Sequence, residues 1–146
     1  YTLPGIPSIY YGSEFGIEGR KERLSDESLR PALDLPGATA AAKENGFMAL
    51  ISALGRIRRH TPVLRNGAYT ELLLTNRQYA FSRANGDETA LIAVNNDDQP
   101  ARVEVAASGR FIEALTGEIR EASDGRLPLD LGGNDGQIWI RSRAGS

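Results

Sequence analysis

Few residues in this chain have types and spacing that could do chemistry. Ser13 lies in Gly12-Ser13-Glu14-Phe15-Gly16, next to the first glycine, whereas the serine of a nucleophile elbow is central. His60 is the only histidine and follows a run of arginines, which favours a solvated position over the role of a catalytic base. Asn95-Asn96-Asp97-Asp98 lacks the glycine and the distal glutamate of a calcium loop. We interpret it as a hairpin turn.

The composition excludes several classes of function. The chain has 146 residues, a formal net charge of −2, no cysteine and one histidine. Disulfides, thiolate nucleophiles and cysteine or multi-histidine zinc sites are therefore excluded, and we expect no metal and no cofactor. The near-neutral charge argues against nucleic acid as a partner, and no apolar run reaches the roughly 18–20 residues that cross a membrane. The absence of cysteine and of a leading signal segment favours a cytoplasmic location.

The elements that would position a site change along the chain. Ser8–Tyr11 is β-branched and aromatic, follows two prolines, and predicts a buried strand. The glycine-punctuated stretch from Gly12 to about Ala42 has no clear period and predicts a long loop, which is uncommon in a compact domain unless it is functional or disordered. Apolar residues at helical spacing then predict a helix from about Glu44 to His60, which Thr61-Pro62 ends.

Short alternating runs separated by turn dipeptides fill the rest of the chain. Their spacing of about 8–12 residues predicts an antiparallel β-sandwich or barrel, with a domain boundary near Thr61 to Gly67. The predicted strands are Tyr69–Leu74, Gln78–Arg83, Thr89–Asn95, Ala101–Val105, Arg110–Leu115, Ile119–Ala122, Leu127–Leu131 and Gln137–Arg141.

One stretch carries a specific resemblance. The run Pro4-Gly5-Ile6-Pro7-Ser8-Ile9-Tyr10-Tyr11-Gly12-Ser13-Glu14 resembles the eighth-strand motif of the α-amylase family of glycoside hydrolases, Gly-x-Pro-x-x-Tyr-x-Gly-x-Glu, at every fixed position. Leu29-Arg30-Pro31 resembles the Arg-Pro motif of the following loop, and Ile57–Gly67 resembles the last barrel helix and its exit. Tyr79–Arg83, followed by Leu91–Asn96, resembles the start of the β-sandwich behind the barrel. The likeness is to the neopullulanase, cyclomaltodextrinase and α-glucosidase branches, although Ser13 stands where many of those relatives carry aspartate.

The resemblance implies a mainly β chain. Residues 1–62 would be the last strand, loop and helix of a (β/α)₈ barrel, which needs about 250 residues in full, and residues 63–146 would be an antiparallel sandwich. Retaining glycosidases need two carboxylates about 5–5.5 Å apart, and in this family they lie, with a third acid, on the fourth, fifth and seventh strands. All three would precede Tyr1. We therefore expect a C-terminal portion of an enzyme acting on α-glucosidic linkages, inactive by itself; the alternative is a non-catalytic carbohydrate-binding or interaction module.

The resemblance also suggests site residues, none of them catalytic. Arg30 matches the arginine that reaches the glucosyl unit at the −1 subsite. The alternative interpretation, an exposed loop arginine with no role in binding, has equal weight. Glu14 and Tyr10 match residues that support the site, and Tyr10 and Tyr11 are expected to pack rather than stack on sugar. Trp139 is either a stacking platform or, as we favour, a packing residue against the barrel helix. Expected partners are an α-glucan or maltooligosaccharide, the upstream barrel, and a second copy through self-association of the N-terminal segment.

Overall fold

Helices occupy the first part of the chain and strands the remainder. A computed structural model of the protein describes residues 1–86 and 88–142. It contains two 3-10 turns, Ser13–Phe15 and Glu27–Leu29, and three helices, α1 (Leu35–Asn45), α2 (Phe47–His60) and α3 (Val63–Asn66). None of the helices described is long and apolar enough to cross a membrane. Contacts divide the chain into a first unit, Tyr1 with Ile6–Ile57, and a second unit, Thr2–Gly5 with the chain from Arg58 onwards.

Helix α1 lies inside the stretch that was predicted to be irregular, so that prediction is wrong from Leu35 onwards. The side chain of Asp34 accepts a hydrogen bond from the backbone nitrogen of Gly37 at 3.2 Å, which caps the helix. Pro36 lies in the first turn, where its missing N–H costs nothing, and alanines fill the turns that follow. The cap and the alanines stabilise a helix that has only a weak apolar face.

The predicted helix from about Glu44 to His60 is confirmed by α2, although its first two residues belong to α1. Asn45 ends α1 because Gly46 takes a left-handed conformation, φ 74°, which terminates a helix at little cost only for glycine. Helix α2 begins at Phe47 and contains the apolar residues whose helical spacing predicted it. Phe47 and Leu50 are exposed, whereas Ile51, Leu54 and Ile57 are half-buried.

The predicted strand at Ser8–Tyr11 is absent from the structure. These four residues pair with no strand in the part of the chain that the structure describes. A buried parallel strand is stabilised by a hydrogen-bonded neighbour on each side. No such neighbour is present in either described range, so the segment remains irregular.

Within the described residues, eight strands form an antiparallel β-sandwich. Six of them make one sheet in the order β1-β2-β3-β8-β5-β6, and β4 pairs with β7 in a second sheet. All pairings are antiparallel, which confirms the mainly β architecture with helices at the N-terminal side. The strands are β1 (Ala68–Leu74), β2 (Gln78–Asn85), β3 (Glu88–Asn95), β4 (Ala101–Ala106), β5 (Arg110–Glu113), β6 (Ile119–Glu121), β7 (Arg126–Leu131) and β8 (Asp135–Arg141).

Trp139 lies in the core between the two sheets. The register places it opposite Leu91 of β3 and Glu113 of β5, and both sheets contribute buried residues to the cluster around it, among them Val105 and Leu129. Its side chain is fully buried, and the indole N–H donates to Oε1 of Gln137 at 3.0 Å. The prediction that Trp139 packs is confirmed. The expected partner was wrong, because the residue packs in the sandwich core rather than against the barrel helix.

A buried carboxylate fixes the turn after β5. Glu113 is 3% exposed and accepts hydrogen bonds from the backbone nitrogens of Leu115, Thr116 and Ile138 at 2.6–3.0 Å and from Oγ1 of Thr116 at 2.9 Å. Four donors satisfy the charge without any cation. This carboxylate therefore stabilises the sandwich and is not available as a catalytic group.

Candidate functional site

The segment with the family motif makes a sharp turn at Gly12. The carbonyl of Tyr10 accepts from the nitrogen of Ser13 at 2.9 Å, and the carbonyl of Gly12 accepts from the nitrogens of Phe15 and Ile17. Gly12 has φ 77°, and a Cβ there would lie 2.8 Å from Cδ1 of Ile17. The turn therefore requires glycine for its conformation and for the space beside it.

Tyr11 connects the motif to the Arg-Pro segment. Its hydroxyl donates to the carbonyl of Pro31 at 2.8 Å, across twenty residues of chain. Tyr11 therefore braces the loop through this hydrogen bond. The hydrogen bond brings together the eighth-strand motif and the Arg-Pro motif, the two segments on which the resemblance rests. Arg30 is the residue next to Pro31, which Tyr11 binds.

Arg30 follows the 3-10 turn Glu27–Leu29 and is exposed. Its Nη2 lies 3.9 Å from Oδ2 of Asp26, whose Oδ1 lies 3.9 Å from Nζ of Lys21. Exposed ion pairs of this length contribute little, about 0–1 kcal/mol, to the position of a side chain. The guanidinium of Arg30 thus has donors that can bind a hydroxyl or a carboxylate.

The other two site residues lie apart from Arg30. Tyr10 is 57% exposed, and Glu14 is half-buried in the first turn after Gly12. Among residues 1–86 and 88–142, no hydrogen bond or ion pair joins Arg30 to either of them. The structure therefore connects Arg30 to the motif through Tyr11 and Pro31 rather than through Tyr10 or Glu14.

The second unit contains two buried arginines that sequence analysis did not predict. Arg58, at the end of α2, donates to the carbonyl of Leu64 at 2.7 Å, to that of Leu3 at 3.2 Å and to that of Gly5. These bonds hold Leu3 and Gly5, at the start of the family motif, within the second unit. Arginines at the end of a helix are usually solvated, but Arg58 is only 9% exposed.

Arg83, on β2, reinforces the same arrangement. It is 1% exposed and donates twice to the carbonyl of Gly67 and once each to those of Leu64 and Thr2, at 2.8–3.1 Å. Burial, and secondarily the positive charge of Arg58, lower the pKa of the Arg83 guanidinium below its usual value. The pair therefore positions Thr2–Gly5 through the backbone carbonyls of Thr2, Leu3 and Gly5.

His60 lines a cleft of about 370 Å³ in the second unit, together with Glu88, Thr89 and Arg141. Its side chain is exposed. In the described part of the chain, no group of three or more histidine or acidic side chains is arranged to hold a metal ion.

Comparison with known proteins indicates the family. No protein-family model matches the chain. It is 32% identical over 102 residues to a cyclomaltodextrin glucanotransferase of Klebsiella oxytoca and 26% identical over 153 residues to an amylopullulanase of Thermoanaerobacter thermohydrosulfuricus, covering 66% and 94% of the chain. The crystal structure of CldA, a cyclomaltodextrin glucanotransferase with a three-domain ABC distribution, matches 98% of the chain with 25% identity and a TM-score of 0.77. The chain is a relative of the α-amylase family enzymes.

These α-amylase relatives are much longer than the matched region. The chain spans 15% of the Klebsiella glucanotransferase, 10% of the amylopullulanase and 30% of CldA. It therefore corresponds to a portion of each of these glucan-acting enzymes. The fold alone is shared with AmyP, at 19% identity and a TM-score of 0.79 over 99% of the chain, whose structure was solved in complex with maltose.

Proposed function

We propose that this chain forms the end of the catalytic barrel and the following β-sandwich of a retaining enzyme that hydrolyses or transfers α-glucosidic linkages. In this proposal residues 1–62 belong to the barrel and residues 63–146 to the sandwich. The observation that carries it is the match to CldA over 98% of the chain, helices and sandwich together, at 30% of that enzyme's length. The family motif from Pro4 to Glu14 supports the same assignment.

The exposed apolar surface of the first unit supports a partner that covers it. Ile6 is 94% exposed and Leu24 96%, and Leu35, Phe47 and Leu50 are each about half exposed. Large apolar side chains that are this exposed are typical of an interface. The proposed occupant is the upstream part of the barrel, and self-association is the alternative that a measurement of oligomeric state distinguishes.

Catalytic carboxylates are not assigned to this chain. The chemistry requires a nucleophile and an acid/base about 5–5.5 Å apart, and the family places both on barrel strands before the one that this chain resembles. The proposed contribution of the chain is therefore to bind and orient substrate, with Arg30 directed to the −1 subsite and Tyr10 and Glu14 supporting the loop.

The first prediction concerns the chain alone. We expect no turnover of maltooligosaccharides or cyclodextrins by the purified chain, because the proposal assigns both catalytic carboxylates to the rest of the enzyme. Reducing-sugar release and chromatography of the products are the measurements, with the Klebsiella glucanotransferase as positive control and circular dichroism to show that the chain is folded. Turnover by the chain would refute the assignment of its catalytic groups.

The alternative function, a sugar-binding module, is tested with the same sample. Since Trp139 is fully buried, it cannot be a stacking platform, and its fluorescence is a poor reporter of binding. Calorimetric titration with maltotriose replaces it. Saturable binding at millimolar affinity or tighter by the chain alone would favour the module; the absence of heat agrees with a subsite that the rest of the barrel completes.

The second prediction concerns Arg30. We expect a chimera in which this chain replaces the matched portion of the Thermoanaerobacter amylopullulanase to act on α-glucans. Arg30→Lys in that chimera should lower kcat/KM by about tenfold or more, because lysine lacks the planar fork that binds two acceptors at once. Arg20→Lys, another exposed arginine of the same loop, should leave it within about twofold.

Two outcomes would contradict this proposal. An inactive chimera would argue that the chain does not supply this portion of the enzyme. An active chimera that tolerates Arg30→Lys as well as Arg20→Lys would remove Arg30 from the substrate site.

A further inference from the structure

Three asparagines in this chain precede glycine: Asn45, Asn66 and Asn85. In such a pair the backbone nitrogen of glycine can attack the side-chain Cγ of asparagine, since no side chain obstructs its approach. The new N–C bond closes a succinimide, the amide C–N bond breaks, and ammonia leaves with the glycine amide proton. Water then opens the ring at either carbonyl and gives aspartate or isoaspartate. The reaction requires a free nitrogen and a mobile side chain.

Asn45 meets neither requirement. Its Nδ2 donates to the carbonyl of Phe15 and its Oδ1 accepts from the nitrogen of Phe47, both at 3.0 Å. The attacking nitrogen, that of Gly46, donates to the carbonyl of Ala42. Both the side chain and the nucleophile are held.

Asn66 is protected through its neighbour. The nitrogen of Gly67 donates to the carbonyl of Val63 at 2.9 Å, and Gly67 is buried. Its own carbonyl accepts two hydrogen bonds from Arg83. The peptide that would have to rotate is therefore fixed from both ends.

Asn85 is different. It is exposed at the end of β2, and neither its side-chain amide nor the nitrogen of Gly86 forms a hydrogen bond with any residue in the described ranges. A Cβ at Gly86 would have no heavy atom within 4 Å, so the space around the peptide is open. Its partner across the hairpin, Glu88, is the first residue of β3, and ends of hairpins open more readily than their centres.

We propose that Asn85 is a site of spontaneous deamidation and that the fold directs this modification to Asn85 among the three Asn-Gly pairs. The product carries an additional negative charge next to Glu88. The isoaspartate form also adds a methylene to the main chain between β2 and β3. The sandwich therefore acquires two altered forms with age.

The test compares the folded and the unfolded chain. The full chain is incubated in mildly alkaline buffer with and without urea, and peptide mapping by mass spectrometry follows aspartate and isoaspartate at each asparagine. In the folded chain, Asn85 should react at least about tenfold faster than Asn45 and Asn66, because those two require local opening first. In urea the three rates should converge.

The urea sample is the internal control for sequence effects. Faster reaction at Asn45 or Asn66 in the folded chain, or equal rates at all three, would overturn the proposal. So would a preference for Asn85 that persists in urea, since the selection would then lie in the neighbouring residues and not in the fold.

Discussion

Trp139→Ala is expected to destabilise the second unit by about 3–5 kcal/mol, the range for large aromatic residues removed from a core. Trp139 is fully buried between the two sheets, so alanine leaves a cavity that strands from both sheets surround. Arg120 lies over the ring at 5.1 Å and would lose this contact as well. The free energy of unfolding of domains of this size is about 5–15 kcal/mol. The variant should therefore be largely unfolded at mild urea concentrations.

Urea unfolding followed by far-ultraviolet circular dichroism measures this loss, since the variant has no other tryptophan. Trp139→Phe keeps most of the side-chain volume and should lower the free energy of unfolding clearly less than Trp139→Ala does. Ile112→Ala, at a half-exposed position on β5, is the matched surface control and should cost about 1 kcal/mol or less. A Trp139→Ala midpoint as high as that of the Ile112 variant would show that the core is not organised around the indole.

Arg83→Met is expected to lower the free energy of unfolding by about 3 kcal/mol or more. The change leaves the buried carbonyl of Gly67 and that of Thr2 without the donors they have now, and each unsatisfied group costs about 1–3 kcal/mol. Leu64 keeps the donor from Arg58, which limits the loss. Urea unfolding gives the free energy, and hydrogen exchange at Thr2–Gly5 should show loss of protection for this segment.

Two variants separate geometry from charge. Arg83→Lys keeps the charge, but a single ammonium cannot reproduce the fork between Gly67 and Thr2, so little stability should return. Arg102→Met removes an exposed arginine whose Nη1 lies 3.6 Å from Asp130 and should cost no more than about 1 kcal/mol. Equal stability of the Arg83→Met and Arg102→Met variants would mean that the buried guanidinium has no structural role.

The strands were predictable because their signals are local. Alternation and turn dipeptides such as Asn85-Gly86 and Thr116-Gly117 lie next to one another in sequence, and each strand predicted after Pro62 matches an observed one within a few residues. Helix α1 was missed because an alanine-rich segment has no apolar period. Its signal was the cap at Asp34 with Pro36 behind it.

The candidate site was predictable only where a motif exists. Tyr11 and Arg30 were found through the resemblance, and the hydrogen bond from Tyr11 to Pro31 relates the two motifs in space. Arg58 and Arg83 were not found, since arginine is usually exposed and sequence alone does not show which carbonyls a folded chain leaves to be satisfied. The strand at Ser8–Tyr11 failed because a strand depends on neighbours that its own residues do not specify.

The hydrogen bonds from Arg58 and Arg83 to Thr2, Leu3 and Gly5 bear on how this sandwich can be inherited. A gene rearrangement that cuts at Pro62, where the sequence changes from helix to strands, would separate Arg83 from Thr2 and remove Arg58 altogether. The smallest transferable module is therefore discontinuous: the chain from Arg58 onwards together with Thr2–Gly5, the segment in which the family motif begins. Exchange of this sandwich between enzymes should favour donors and recipients that retain the three backbone carbonyls of Thr2, Leu3 and Gly5 in place.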